Sequence, residues 1–143
     1  MMAQPGKQKE SKLIFTAEIF LQLQSSQTIP QSSAIITNKP QDITEAVLVK
    51  LSLEGHFNHL IGMHAGFEPK PDPSGVRYVI TSEGVGAQET IFIGDSRIDA
   101  ETSRNAGIDF GFAAWGYDST NGYNPAIYFK SAYDLIELGQ RSY

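Results

Sequence analysis

Three short segments carry the residues best suited to chemistry. Thr37 and Asn38, followed by Lys39 and Pro40, come straight after the apolar run Ala34-Ile35-Ile36. A hydroxyl and backbone N–H groups where a strand passes into a helix make a cradle for an anion; the same residues would also serve as a plain turn capped by Thr37 or Asn38. Lys70 stands within Glu68-Pro69-Lys70-Pro71-Asp72-Pro73. Prolines on both sides stiffen the backbone and aim the ammonium at a phosphate or carboxylate, the plainer alternative being a solvent-facing lysine in a proline-rich turn. The most specific segment is Gly94-Asp95-Ser96-Arg97-Ile98-Asp99, after Ile91-Phe92-Ile93. Gly94 permits close backbone approach, Asp95 sits at the strand end, and Asp99 falls in the first turn of the next helix. Two carboxylates converging there suit a hard cation such as Mg²⁺, one as ligand and the other supporting it. The structural alternative makes Asp95 a helix N-cap.

Elements that could position these groups alternate along the chain. Apolar runs at Ala34-Ile35-Ile36, Leu60-Ile61, Ile91-Phe92-Ile93, 110–114 and, more weakly, Ile127-Tyr128-Phe129 predict strands. Between them lie helical patterns carried by Ile43, Val47, Leu48 and Leu51, then Val76, Val79 and Ile80, then Ile98, Thr102 and Ala106. Pro40 and Pro73 stand where a first helical residue belongs, and Gly55, Gly84 and Gly107 follow the last periodic residues. Strand and helix in alternation predict an α/β fold, a parallel sheet covered on both faces, with any site at the carboxyl ends of the strands. Residues 1–11 are polar, contain Pro and Gly and lack periodicity, which predicts a disordered leader before a core spanning 12–143.

Composition narrows the partners. The 143 residues carry 11 Lys and Arg against 16 Asp and Glu, a net charge of −5. That balance argues against nucleic acid or an anionic membrane as partner, because either needs a basic face, and it leaves room for a small anionic ligand at a locally positive site. The absence of cysteine excludes a disulfide scaffold, a thiolate metal site and a cysteine nucleophile, and suits a cytoplasmic protein. The stretch from Leu13 to Leu23 is interrupted by Glu18 and Gln22 and does not read as a signal peptide.

Taken in order, Thr37-Asn38, Lys70-Pro71-Asp72-Pro73 and Gly94-Asp95-Ser96-Arg97-Ile98-Asp99 resemble the second, third and fourth signature motifs of the haloacid dehalogenase (HAD) superfamily. The likeness is greatest to its phosphoglycolate-phosphatase-like members. Lys70 lies 33 residues after Thr37, Asp95 lies 25 after Lys70, and Asp99 four after Asp95, spacings ordinary for such proteins. The resemblance runs from residue 34 to about 138. It implies a three-layer α/β/α, Rossmann-like core in which Thr37 and the Asn38 backbone bind a phosphoryl group and Lys70 neutralises it. Asp95 would ligate Mg²⁺ and Asp99 would support it. The implied reaction is hydrolysis of a phosphate monoester, a small phosphorylated metabolite, through an aspartyl-phosphate.

The first motif of that family, D-x-D-x-[TV], has no counterpart: no two aspartates are two positions apart anywhere in the chain. The segment that in the family carries a helical cap is also missing, so the sequence reads as a partial, capless core. Lys12-Leu13-Ile14-Phe15 resembles the strand before a first motif, with Thr16 and Glu18 where the aspartates belong; the alternative takes 16–24 as a helix facing the sheet with Ile19, Phe20 and Leu23. The first-motif strand is central in the family, and without it two inner edges stay unpaired. Residues 12–16 are the only upstream candidate for the slot, and an unfilled slot would invite a second copy of the chain. Two functions remain open, a Mg²⁺-dependent HAD phosphatase core and an inactive phosphate- or metal-binding pseudophosphatase. A phospho-receiver domain is disfavoured, since there the acidic residues come first and the lysine last. His56, His59 and His64 match no metal-ligand spacing and read as surface or edge residues. Trp115, Tyr117 and Tyr123, on the loop after the Phe110 strand, read as packing against the neighbouring helix, the alternative being contact with a substrate.

Overall fold

A computed structural model describes residues 12–15, 33–114, 124–131 and 134. Its strands are β1 (Lys12–Phe15), β2 (Ser33–Pro40), β3 (His59–Met63), β4 (Thr90–Gly94), β5 (Asp109–Ala113) and β6 (Ile127–Phe129). The helices are α1 (Gln41–Lys50), α2 (Ser74–Glu83) and α3 (Arg97–Ala106), with a 3₁₀ turn at Ala87–Glu89. Every apolar run that predicts a strand forms one. Among the described residues no helix is long and apolar enough to cross a membrane, and no separate cap domain is present.

One six-stranded sheet has the order β3-β2-β1-β4-β5-β6, and every neighbouring pair is parallel. β1 occupies the central slot. Phe15 is in register with Ile35 of β2 on one side and Ile93 of β4 on the other. Both inner edges are therefore paired within the chain, which removes the reason for expecting a second copy to fill them.

Right-handed crossovers dictate the layers. The connection from β2 to β3 runs one way across the sheet, while those from β3 to β4 and β4 to β5 run the other, so α1 lies on one face and α2 and α3 on the opposite one. α2 packs Val76 and Val79 into a core with Ala34, Ile36, Ile61, Phe92 and Ile108, while Ala100 of α3 meets Phe110 and Phe112. Fully burying a Val, Ile or Phe side chain stabilises the fold by about 1.5–3 kcal/mol.

Helix boundaries and faces depart from the periodic reading in detail. Pro40 and Pro73 are N-caps, not first helical residues. Gly84 and Gly107 end α2 and α3 in the left-handed conformation, as expected of glycine there, but α1 ends at Lys50, short of Gly55. α1 buries Thr44 and Leu48 and leaves Ile43 and Leu51 exposed; α3 buries Asp99, Ala100, Thr102 and Ser103 and leaves Ile98 exposed. The buried hydroxyls make this possible. Thr44 donates to the Pro40 carbonyl, Thr102 to Ile98 and Ser103 to Asp99, each satisfying itself on its own helix while its side chain faces inward.

Candidate active site

Connections leave in opposite directions from the centre of the sheet, and in open parallel sheets such a switch point opens a crevice at the carboxyl ends of the strands. The ends of β2 and β4 supply what lies there. Thr37 is buried near the end of β2, and its Oγ1 accepts the Lys39 backbone N–H at 3.1 Å. A hydroxyl used as acceptor still has its proton to give, so Thr37 can donate to an anion.

Asn38, next along β2, reaches the proline-rich loop. Its Nδ2 donates to the Lys70 carbonyl at 3.0 Å, and its Oδ1 accepts the Lys70 N–H at 2.8 Å. Held there, Lys70 turns inward. Nζ donates to Asp99 Oδ1 at 2.7 Å, with the two side chains 7% and 2% exposed, and lies 5.7 Å from the centroid of the Phe92 ring. Lys70 is thus no solvent-facing turn residue. The Lys70–Pro71 peptide bond is cis. Asn105 Nδ2, from the last turn of α3, donates to the Pro71 carbonyl at 2.9 Å.

Asp99 is the hub. Besides Lys70, its carboxylate accepts the Asp95 N–H at 3.2 Å, the Ser96 N–H at 3.2 Å and the Ser96 hydroxyl at 3.0 Å, all on Oδ2. Ser96 is the N-cap of α3 and Asp99 its third residue, a reciprocal capping box. The cap is therefore Ser96 and not Asp95. Ser96-x-x-Asp99 is a readable capping signature, and Asp95 is the first residue past β4. Gly94 is required by contact: a Cβ there would run into the Asp99 carboxylate.

Thr37, Asn38, Lys70, Asp95 and Asp99 all come from the β2 end, the β4 end, the first turn of α3 and the loop before α2. The links among Asn38, Lys70, Asp99 and the Asp95 backbone join all four pieces into one network. The Asn38 side chain and Asn105 carry no sequence signal of their contacts and escape a reading by motif. His59 opens the edge strand β3 and pairs with Glu83 instead of facing this site. Thr16, Glu18, the leader 1–11, Trp115, Tyr117 and Tyr123 lie outside the described residues.

Comparison with known proteins decides the family. Residues 6–113 match the family described as haloacid dehalogenase-like hydrolase. The chain belongs to this HAD family. It is 29% identical over 105 residues to a phosphoglycolate phosphatase of Aquifex aeolicus, covering 73% of this chain and 49% of the relative. It is 34% identical over 106 residues to one of Pseudomonas savastanoi pv. phaseolicola, covering 72% and 39%. The chain thus spans half or less of the length of these two HAD relatives. A solved structure from Lactobacillus plantarum superposes with a TM-score of 0.71 at 27% identity, covering 79% of this chain and 56% of that one. The core domain of a Streptococcus pneumoniae protein superposes at 0.66 over 94% and 98% of the two chains; at 18% identity it shows the fold alone.

HAD proteins generally use Mg²⁺, and the donors here can be compared with what that ion demands. Mg²⁺ is held by one or two carboxylates together with waters and substrate phosphate oxygens. Both Asp99 oxygens are engaged by Lys70, Ser96 and the Asp95 N–H, an arrangement that suits a supporting role for Asp99 better than direct ligation. Among the described residues no group of three His, Cys, Asp or Glu gathers as a closed metal cage. The donor set fits an ion shared with a phosphate, completed by the ligand.

Proposed function

We propose that this chain is the phosphoryl-binding core of a phosphoglycolate-phosphatase-like HAD hydrolase, acting on a small phosphorylated metabolite in the cytoplasm. The observation that carries it is the buried Lys70–Asp99 pair at the carboxyl ends of the central strands, with Thr37 buried near the end of β2. Thr37 donates its hydroxyl proton, and the Asn38 backbone N–H completes the cradle. Lys70, already held by Asp99, turns its positive charge toward the phosphoryl oxygens and offsets the charge that develops on them. Asp95, supported by Asp99, would hold Mg²⁺, which when bound neutralises and orients the phosphoryl group.

A second reading, a pseudophosphatase that binds but does not turn over, is favoured by one feature. No D-x-D follows β1; Thr16 is the next residue, and its hydroxyl cannot form an acyl-phosphate. Incubation of the chain with Mg²⁺ and p-nitrophenyl phosphate separates the two. Release of p-nitrophenol that falls to background in Asp95→Asn supports the hydrolase and removes the pseudophosphatase. Calorimetric binding of phosphate without turnover supports the second reading. Neither binding nor turnover overturns both.

A further inference from the structure

The Asn38 side chain does something the phosphoryl cradle does not require. Its carboxamide exchanges two hydrogen bonds with the peptide groups of Lys70, a residue 32 positions away, donating to the carbonyl and accepting the N–H. Such a pair imitates one rung of a β-ladder. Only one orientation of the amide satisfies it, since the opposite one would set oxygen against oxygen and NH₂ against N–H. β2 is in effect extended sideways onto the loop that carries the lysine.

The next peptide is gripped from the other side. Asn105 donates to the Pro71 carbonyl, and its own carbonyl accepts from Arg77 Nη2 of α2 at 3.0 Å. α3 therefore holds the loop twice, through Asn105 at its last turn and through Asp99 on Nζ at its first. A lysine stem has enough rotamer freedom to scatter its charge widely. With the main chain fixed at Lys70 and Pro71 and the ammonium fixed at Asp99, the stem is held at both ends.

We propose that Asn38 is a positioning residue for Lys70: its side chain sets where the ammonium is delivered, Asn105 backs the same loop, and anion affinity depends on the Asn38 side chain only through the lysine. This rests on the phosphoryl-binding reading above. When an anion draws Nζ from Asp99, the ammonium swings from an anchor that stays in place, so the charge goes to one spot and not to a cloud of positions.

Two measurements on the full chain test it. Inorganic phosphate is titrated by calorimetry, with Mg²⁺ present, into the wild type, Asn38→Ala, Lys70→Met and the double variant. Asn38→Ala should weaken phosphate binding by between about tenfold and about a hundredfold, and should add nothing once Lys70 is methionine. Losses that multiply in the double variant would overturn the proposal, because Asn38 would then act independently of Lys70. Second, in ¹⁵N-lysine-labelled protein the Lys70 ammonium signal, assigned by its loss in Lys70→Met, should be sharp in the wild type and vanish by exchange in Asn38→Ala. Persistence of that signal in Asn38→Ala also overturns it. Should the wild type bind no phosphate, the functional reading falls and the ammonium signal alone decides the inference. If Asn38→Ala fails to fold, Asn38→Asp keeps the acceptor for the Lys70 N–H and loses the donor to the carbonyl, and Asn105→Ala loosens the loop from α3; an unchanged ammonium signal in both counts against the proposal.

Discussion

Two ion pairs in this molecule have the same length and opposite meanings. Lys70–Asp99 and His59–Glu83 are each 2.7 Å long. The first is 7% and 2% exposed and lies where β2, β4 and α3 converge; the second is 16% and 25% exposed, joining the start of edge strand β3 to the end of α2. Their surroundings differ more than their distances. Asp99 is met by backbone N–H groups and a capping hydroxyl, with a second residue fixing the lysine main chain. His59 sets its ring edge-on to Tyr78 at 5.8 Å, and Tyr78 leans on Phe67 at 5.1 Å. A site is thus marked by how many separately anchored groups hold the charges, and an ion pair wrapped by aromatic rings reads as packing.

The largest effect expected from breaking this contrast is at Asp99. Asp99→Ala strips the partner from an ammonium almost out of contact with water and also dissolves the capping box. Removing one member of a buried pair costs about 3–5 kcal/mol, so the urea midpoint should fall steeply. A loss under about 1 kcal/mol would place Lys70–Asp99 in the class of exposed pairs and weaken the case that it marks the site.

What the chain discloses before its structure follows the range of the interaction. Strands at Ile91-Phe92-Ile93 and Ala34-Ile35-Ile36, and the order Thr37, Lys70, Asp95, are local or ordered along the chain, and they were legible. Lys12-Leu13-Ile14-Phe15 was legible only as the one strand available for the central slot. The helix faces were half legible, because Thr44, Thr102 and Ser103 hide their hydroxyls on their own helices and pass for polar surface in a periodicity count. Side-chain amides were illegible. Asn38 gripping Lys70 resembles Gln41, whose Nε2 donates to the Leu60 carbonyl at 3.0 Å while its Oε1 accepts the Gly62 N–H, bridging the bulge where β2 parts from β3. Both depend on tertiary placement, with no spacing to announce them.

Glu83→Gln sharpens the other arm of the comparison. Glutamine keeps the length and an acceptor oxygen for His59 while removing the charge. A pair this accessible contributes about 0.2–1 kcal/mol. Denaturation should shift by no more than that, and phosphate affinity should not change, since His59 opens β3 and so lies at the opposite end of the strands from the site. A large loss of phosphate binding in Glu83→Gln would erase the distinction between the two pairs.

Asp72 completes the series as a carboxylate fully open to water. The Ser74 backbone N–H, donating at 2.9 Å, holds its carboxyl below the ordinary 3.8, with smaller help from the Ser74 side chain and Arg77 working against slight desolvation. A carboxyl whose folded-state pKa is depressed stabilises the fold while ionised. Its contribution is complete above the unfolded value of 3.8 and is lost as pH falls through the lower folded value. Stability of the wild type and of Asp72→Asn, compared at pH 7 and stepwise below pH 4, should therefore converge toward the acid end, with a small wild-type advantage at neutral pH. Because Asp72 stands two residues from Lys70 in sequence yet outside its hydrogen-bond network, phosphate binding should be the same in both. A difference there would mean that the solvent-facing side of the loop helps to aim the lysine, and that its anchoring is not confined to Asn38, Asn105 and Asp99.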